Sequence, residues 1–156
     1  MIGADNRAPR PDAPICAIAE KLIIGAKDLP AEVRAANGGR GADVVLDLVG
    51  GVMFRIALNC LALRGRLVEI ASTGQREVSF DLADFYHNES RLLGVDTLKR
   101  DLTASAEALD ALTPGFAAGD DHSAPIAETC GLGEAQEAYR KVAAGAAGRI
   151  VLRPQE

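Results

Sequence analysis

Residues Gly41 to Ala71 read GADVVLDLVGGVMFRIALNCLALRGRLVEIA, and this stretch decides the fold. Val44-Val45-Leu46 opens an apolar run too short for a buried helix. It is rich in β-branched residues and bounded by glycines, so it reads as a buried parallel strand. Gly50-Gly51 breaks the run. Val52 to Leu63 then follows a helical pattern in which Arg55 and Asn59, four apart, are the only polar positions, which marks a helix buried on most sides. Gly65 ends that helix, and Arg66 to Ala71 is a second apolar run. Strand, helix and strand within about 30 residues make a βαβ unit, whose crossover is right-handed.

The flanks extend the same pattern. Upstream, Leu22-Ile23-Ile24 is a strand closed by Gly25. Asp28 caps the next helix, Pro30 suits its first turn, Leu29, Val33 and Ala36 share one face, and Gly38-Gly39 ends it. Downstream, Ser72-Thr73-Gly74 is a loop and Val78-Ser79-Phe80 alternates briefly. Asp81 to Glu89 takes one or two helical turns anchored by Leu82, Phe85 and Tyr86. Arg91 to Leu98 is a strand interrupted by Gly94. Asp101 caps a helix that Pro114-Gly115 kinks or ends. Ile126 to Thr129 is a short strand, Glu134 to Ala144 a helix, and Arg149 to Leu152 a last strand. The expected fold is α/β: a partial Rossmann-like open, mainly parallel sheet with helices on both faces. Residues 1–14, with Gly3, Pro9, Pro11 and Pro14 among polar positions, read as a mobile arm. Residues 15–156 read as one domain, a size that supports a real core.

Composition excludes several function classes. Hydrophobic residues make up 48% of the chain, aromatics only 4%, and Trp is absent, so the core is aliphatic and alanine-rich. The net charge of −5 comes without any block of lysine or arginine, which argues against nucleic acid or an anionic membrane as partner. No run reaches the roughly 18 apolar residues of a membrane span. The first residues lack the basic start and apolar stretch of a signal peptide, so the cytoplasm is the expected location. Cys16, Cys60 and Cys130 are too few and too scattered for a disulfide framework.

The chemistry-bearing motifs are mostly missing. Gly131-Leu132-Gly133-Glu134-Ala135-Gln136 approximates a dinucleotide fingerprint, but Gln136 replaces the third glycine and Glu134 brings negative charge where phosphate would sit; it reads as a turn into a helix. Asp47 could be a ribose-binding acid only with that fingerprint some 20 residues upstream, so it reads as a strand-end acceptor of backbone hydrogen bonds. Gly38 to Asp43 lacks the lysine of a phosphate loop. Tyr86 and Tyr139 lack a lysine four residues on, which excludes a short-chain dehydrogenase acid pair. His87 and His122 lie far apart and no two cysteines have zinc-ligand spacing, so no metal is expected. Cys60 reads as packing, His87 as a surface residue, and Ser72 sits in no nucleophile elbow. No catalytic residue stands out. What remains is positional. Ligands of open α/β sheets bind outside the carboxyl ends of the strands. Those ends are Val49-Gly50-Gly51, Ala71-Ser72-Thr73-Gly74 and Gly94-Val95-Asp96. Their small residues either admit a ligand to backbone or make tight turns.

GGRGADVVLDLVGG, GRLVEIASTG, LLGVDTLK and EAYRKVAAGAAGRIVLRP, in this order and spacing, resemble the C-terminal half of a medium-chain dehydrogenase/reductase. The nearest subgroup is the quinone-oxidoreductase-like enzymes of the zinc-binding dehydrogenase family, whose members often hold no zinc. The resemblance runs from about Leu22 to Pro154. It implies a Rossmann domain for NADP(H) or NAD(H) set into a barrel-like catalytic domain. By that likeness Ile70, Ala71, Ser72 and Thr73 lie along the nicotinamide, Gly94 and Val95 also meet it, and Val49, Gly50 and Gly51 lie near the adenine side. The strand Leu92 to Leu98 resembles the one that pairs edge to edge in a homodimer. The family's glycine-rich loop, its first βαβ unit and its N-terminal catalytic domain have no counterpart among these residues. Two readings follow: the cofactor-side portion of a quinone-reductase-like NAD(P)(H) oxidoreductase, incomplete as a catalyst, or a catalytically silent, self-associating α/β interaction domain.

Overall fold

The structure, a computed structural model, describes residues 1–96, 98–146 and 148–154. The chain divides into two compact units, Met1–Arg100 and Asp101–Glu156.

The first unit holds five strands, all parallel to their neighbours: β1 (Ile2–Asp5), β2 (Lys21–Ile24), β3 (Ala42–Asp47), β4 (Leu61–Glu69) and β5 (Arg91–Gly94). They form two ladders, β1-β2 and β3-β4-β5. Helices α1 (Pro14–Ile18), α2 (Leu29–Ala36), α3 (Phe54–Asn59) and α4 (Leu82–His87) connect them. The α/β reading and the parallel sheet are as expected.

The core sits between β3-β4 and the helices that follow them. Leu67, fully buried at the centre of β4, packs with Phe54, Ala57, Leu58 and Leu61. Phe80 completes the cluster, its ring centroid 5.8 Å from Phe54 and 5.3 Å from Phe85. Phe80 is thus an anchor for the segment entering α4. A second cluster of Ile23, Val33 and Cys60 gathers Ile2 from β1 and Ala42 and Val45 from β3.

Several boundaries differ from expectation. Ile2–Asp5, inside the segment read as an arm, is strand β1. A Cβ on Gly3 would stand 2.9 Å from the tip of the Leu22 side chain. The helix expected over Val52 to Leu63 is a 3-10 turn, Gly51–Met53, followed by α3, which stops at Asn59. Leu61 to Leu63 instead start β4. An apolar run has no period to separate helix from strand, and pairing with β3 decides. Gly65 lies within β4, where a Cβ would approach Ala62 O and Ala42 O at 2.8 and 3.0 Å. The strand expected over Leu92 to Leu98 ends at Gly94; Thr97 lies outside the described residues.

The turn between α4 and β5 is tied to the start of β4. Arg64 and Glu89 both have left-handed backbone, φ 65° and 49°, and their side chains pair at 2.7 Å. Arg64 N–H donates to Asn88 O at 2.8 Å, and the Asn88 amide donates to Ala62 O at 3.0 Å.

In the second unit α5 (Leu102–Ala118) precedes the parallel pair β6 (Ile126–Gly131) and β7 (Arg149–Arg153), with α6 (Ala135–Ala143) between them. Pro114 does not end α5; it lies inside the helix, which runs on to a left-handed Gly119 cap. Cys130 and Ala138 are the buried apolar residues of this unit among those described.

Candidate functional site

Because β3, β4 and β5 are parallel, their carboxyl ends share one rim, with Asp47, Glu69 and Gly94 side by side in register. Gly50 pairs with Ser72, Thr73 N–H donates to Val49 O at 2.8 Å, and Val95 N–H donates to Glu69 O at 2.9 Å. All nine residues singled out from the sequence, Val49, Gly50, Gly51, Ile70, Ala71, Ser72, Thr73, Gly94 and Val95, thus lie along this rim.

The glycines are not equivalent. Gly50 is buried at φ 59°, ψ −159°, and a Cβ there would fall 1.8 Å from Ala71 O. A Cβ on Gly51 would fall 2.3 Å from Thr73 O. These two let the chain approach itself, as a tight turn requires. Gly94 has nothing within 4 Å of a Cβ and faces open space. The exposed surface of the rim is therefore Val49, Ile70, Ser72, Thr73, Gly94 and Val95, with the apolar members 40–46% exposed. Such an apolar lip with a few backbone and hydroxyl groups suits one face of a planar ring.

Asp47 is the hinge of the rim. It is 6% exposed, and its Oδ1 accepts from Val49 N–H and Gly50 N–H, both at 2.9 Å, the strand-end role read from the sequence. Its Oδ2 is buried without a donor, as is Glu69 Oε1. Burial, the Asp47 charge and a hydrogen bond to Asp47 together raise the Glu69 carboxyl above the usual carboxylate range. Glu69 was not singled out from the sequence. The signal was there: LDL and VEI each end an apolar strand with an acid, and in-register parallel pairing brings the two together.

The diphosphate of a nicotinamide dinucleotide needs free N–H groups at a helix start. In this unit Asp28 caps α2 through Ala31 N–H at 3.0 Å, and Asp81 caps α4 through Ala83 and Asp84 N–H at 2.8 and 3.2 Å. A carboxylate thus stands where a phosphate would have to go. At the near-fingerprint in the second unit, the Glu134 carboxylate accepts Gly131 N–H at 3.1 Å, filling that turn in the same way. The rim residues fit the planar part of such a cofactor, and the starts of α2 and α4 do not fit its diphosphate.

A cavity of about 610 Å³ is lined by residues from α2, α3 and α4 and their caps, among them Arg34, Arg55, His87, Asp28, Asp81 and Asp84, and by none of the nine rim residues. Among the described residues no group of three or more His, Cys, Asp or Glu side chains is placed to hold a metal, and no helix is long and apolar enough to cross a membrane.

The zinc-binding dehydrogenase family profile matches residues 19–114. The chain is 30% identical over 125 residues to the highly reducing polyketide synthase ALT1 of Alternaria alternata, which takes in 78% of this chain and 5% of that protein. A solved NAD-dependent alcohol dehydrogenase superposes with a TM-score of 0.77 at 25% identity, over 98% of this chain and 43% of its own. A mycobacterial quinone oxidoreductase shares the fold, with a TM-score of 0.81 at 21% identity over 98% and 48%. The chain spans a twentieth of the first relative and under half of the two solved structures. The match over residues 19–114 contains the whole parallel rim, and the chain belongs to the zinc-binding dehydrogenase family of medium-chain dehydrogenase/reductases.

Proposed function

We propose that the chain is the cofactor-side portion of an NAD(P)(H)-dependent oxidoreductase of quinone-reductase type. It supplies the lip against which a nicotinamide lies and depends on further polypeptide for the diphosphate grip and the substrate pocket. The observation that carries this reading is the rim itself, nine residues at the carboxyl ends of three parallel strands, inside the region shared with the family. When bound, the dinucleotide supplies hydride; the residues here bind and orient its ring. Both NADH and NADPH are candidates. The test is saturation-transfer NMR with each dinucleotide on the purified chain. Weak contact, about 1 mM or roughly 4 kcal/mol, is expected, felt at the Ile70 and Val95 methyls. Unperturbed methyls at several millimolar would remove the reading.

The second reading, a silent domain that associates with itself, draws on β5, where Leu92 and Leu93 are 43% and 45% exposed at an unpaired strand edge. A homodimer through Leu92 to Leu98 is part of this proposal, and sedimentation as a monomer at high concentration would count against it. The free thiols of Cys16, Cys60 and Cys130 go with a reducing, cytoplasmic setting.

A further inference from the structure

Two buried oxygens at the rim, Asp47 Oδ2 and Glu69 Oε1, have no donor. A buried acceptor without a partner is rare, and each one needs an explanation. These two belong to residues paired in register across β3 and β4. Asp47 is 6% exposed, and its other oxygen is already taken by Val49 and Gly50 N–H, both at 2.9 Å. Oδ2 therefore needs a donor of its own. Glu69 hydrogen-bonds to Asp47, and a carboxyl can donate only as the protonated acid. A single proton between the two side chains satisfies both orphaned oxygens at once.

Asp47 is the one charged group that bears on Glu69 among the described residues. On the other side of Glu69 in the register stands Gly94. The turn after β3 carries no ionisable side chain over residues 48–54, and the loop after β4 none over residues 70–75. The first charges beyond them in the chain are Arg55, which lines the cavity, and Arg76. Past β5, Asp96 accepts Leu98 N–H at 3.0 Å. His87 precedes β5 and stands at its amino end, away from the rim. What the acid pair underlies is a join between two loops. Thr73 N–H donates to Val49 O at 2.8 Å, Val52 N–H to Thr73 O at 3.4 Å, and Gly50 pairs with Ser72. With the proton gone, two carboxylates would lie buried side by side and repel one another. Asp47 is tied to its turn, so Glu69 and the loop that follows it must yield.

We propose that Asp47 and Glu69 share one proton and that this proton latches the rim: while it is held, the turn at residues 49–51 stays joined to the loop at residues 70–73, and its loss parts them. Glu69 is then a positioning residue. It acts through Asp47 on loops that a ligand would touch. Burial and its acidic neighbour raise the Glu69 carboxyl, so the latch is closed in acid and opens as pH rises through the folded value. On the oxidoreductase reading, the same rise in pH weakens contact with a dinucleotide. That consequence alone rests on that reading. The latch is tested without cofactor, so either can fail while the other stands.

The test is NMR on the whole chain as a function of pH. The Glu69 carboxyl carbon resonance is followed directly, and amide exchange is expressed as protection relative to an unstructured chain. From about pH 5 to about pH 8, protection at Thr73 and Val52 should fall about tenfold or more, while that of Leu67 in the middle of β4 should hold. Glu69→Gln keeps a donor at every pH and should keep both loops as protected at the high end as at the low end. It also retains His87, so a histidine cannot mimic the result. Asp47→Asn keeps an acceptor for the turn and gives a donor to an ionised Glu69, and should act in the same way. Glu69→Ala should leave the loops open throughout. A Glu69 carbon that titrates in the ordinary carboxyl range would overturn the proposal. So would loop protection that ignores pH in the parent chain, or that falls as steeply in Glu69→Gln. The cofactor consequence is read separately, by saturation transfer from the Ile70 and Val95 methyls to NAD⁺, whose charge is constant over this range. A signal equal at both ends removes that consequence and leaves the latch.

Discussion

Replacing Gly50 with alanine tests the account of the rim. Two independent costs follow from the geometry. At φ 59°, ψ −159° the backbone occupies a region that is essentially glycine-only, and holding a side chain there costs about 1–3 kcal/mol. The new methyl would also lie 1.8 Å from Ala71 O, so one loop must move, at about 1–3 kcal/mol for overpacking. Movement would loosen the Thr73 N–H bond to Val49 O and the two backbone bonds to Asp47. The expected total is about 3–5 kcal/mol, which for a chain of this length lowers the melting temperature by about 10 °C. Urea unfolding followed by circular dichroism gives the free energy, and hydrogen exchange at Val49 and Thr73 localises it. Gly94→Ala is the control on the same rim: with no neighbour within 4 Å it should stay within about 0.5 kcal/mol of the parent. A Gly50→Ala protein that melts within 1 °C of the parent would refute the claim that this glycine exists for chain-on-chain approach.

Three further outcomes follow. The Glu69 carboxyl is raised in the folded state, so its contribution to stability is full below the unfolded value, near 4.5, and is lost as pH rises through the folded one. Glu69→Gln, able to donate to Asp47 at every pH, should flatten that slope between pH 4 and 8 and gain about 1 kcal/mol at neutral pH; thermal melts with an unchanged slope would contradict it. Leu67→Ala, at the one fully buried large side chain among the described residues, should cost about 2–5 kcal/mol in denaturant unfolding. Burial pushes the Cys60 thiol up to about 11 and raises Cys130 as well, so at pH 8 a thiol reagent should label exposed Cys16 quickly and the other two only on unfolding.

The part of the fold legible in the sequence was the part in which local and tertiary demands agree. A β-branched run between glycines became β3, and Asp28 and Asp101 each cap the helix they were read to cap. Val52 to Leu63 failed because a run apolar on every side carries no period, and only pairing with β3 turns Leu61 into a strand. β1 failed because nothing in Met1 to Asp5 specifies a strand until β2 lies beside it. Pro114 misled for another reason: a proline ends a helix only as a tendency, and here α5 carries it inside and continues to Ala118. At the rim, strand-end position and the family resemblance together named nine loop residues but could not divide them. Whether a glycine serves a ligand or a neighbouring loop depends on distances that no spacing encodes.

The Arg64–Glu89 corner has a consequence at the opposite end of the sheet. A strand is a ruler with fixed divisions, and a clamp at its first mark determines what stands at its last. Pinned through Asn88 and Glu89, β5 delivers Gly94 opposite Glu69. A slip by a single residue would put a leucine there and invert every side chain behind it. The small, open character of that corner of the rim is thus dictated at the far end of the strand, by residues no bound molecule would ever touch.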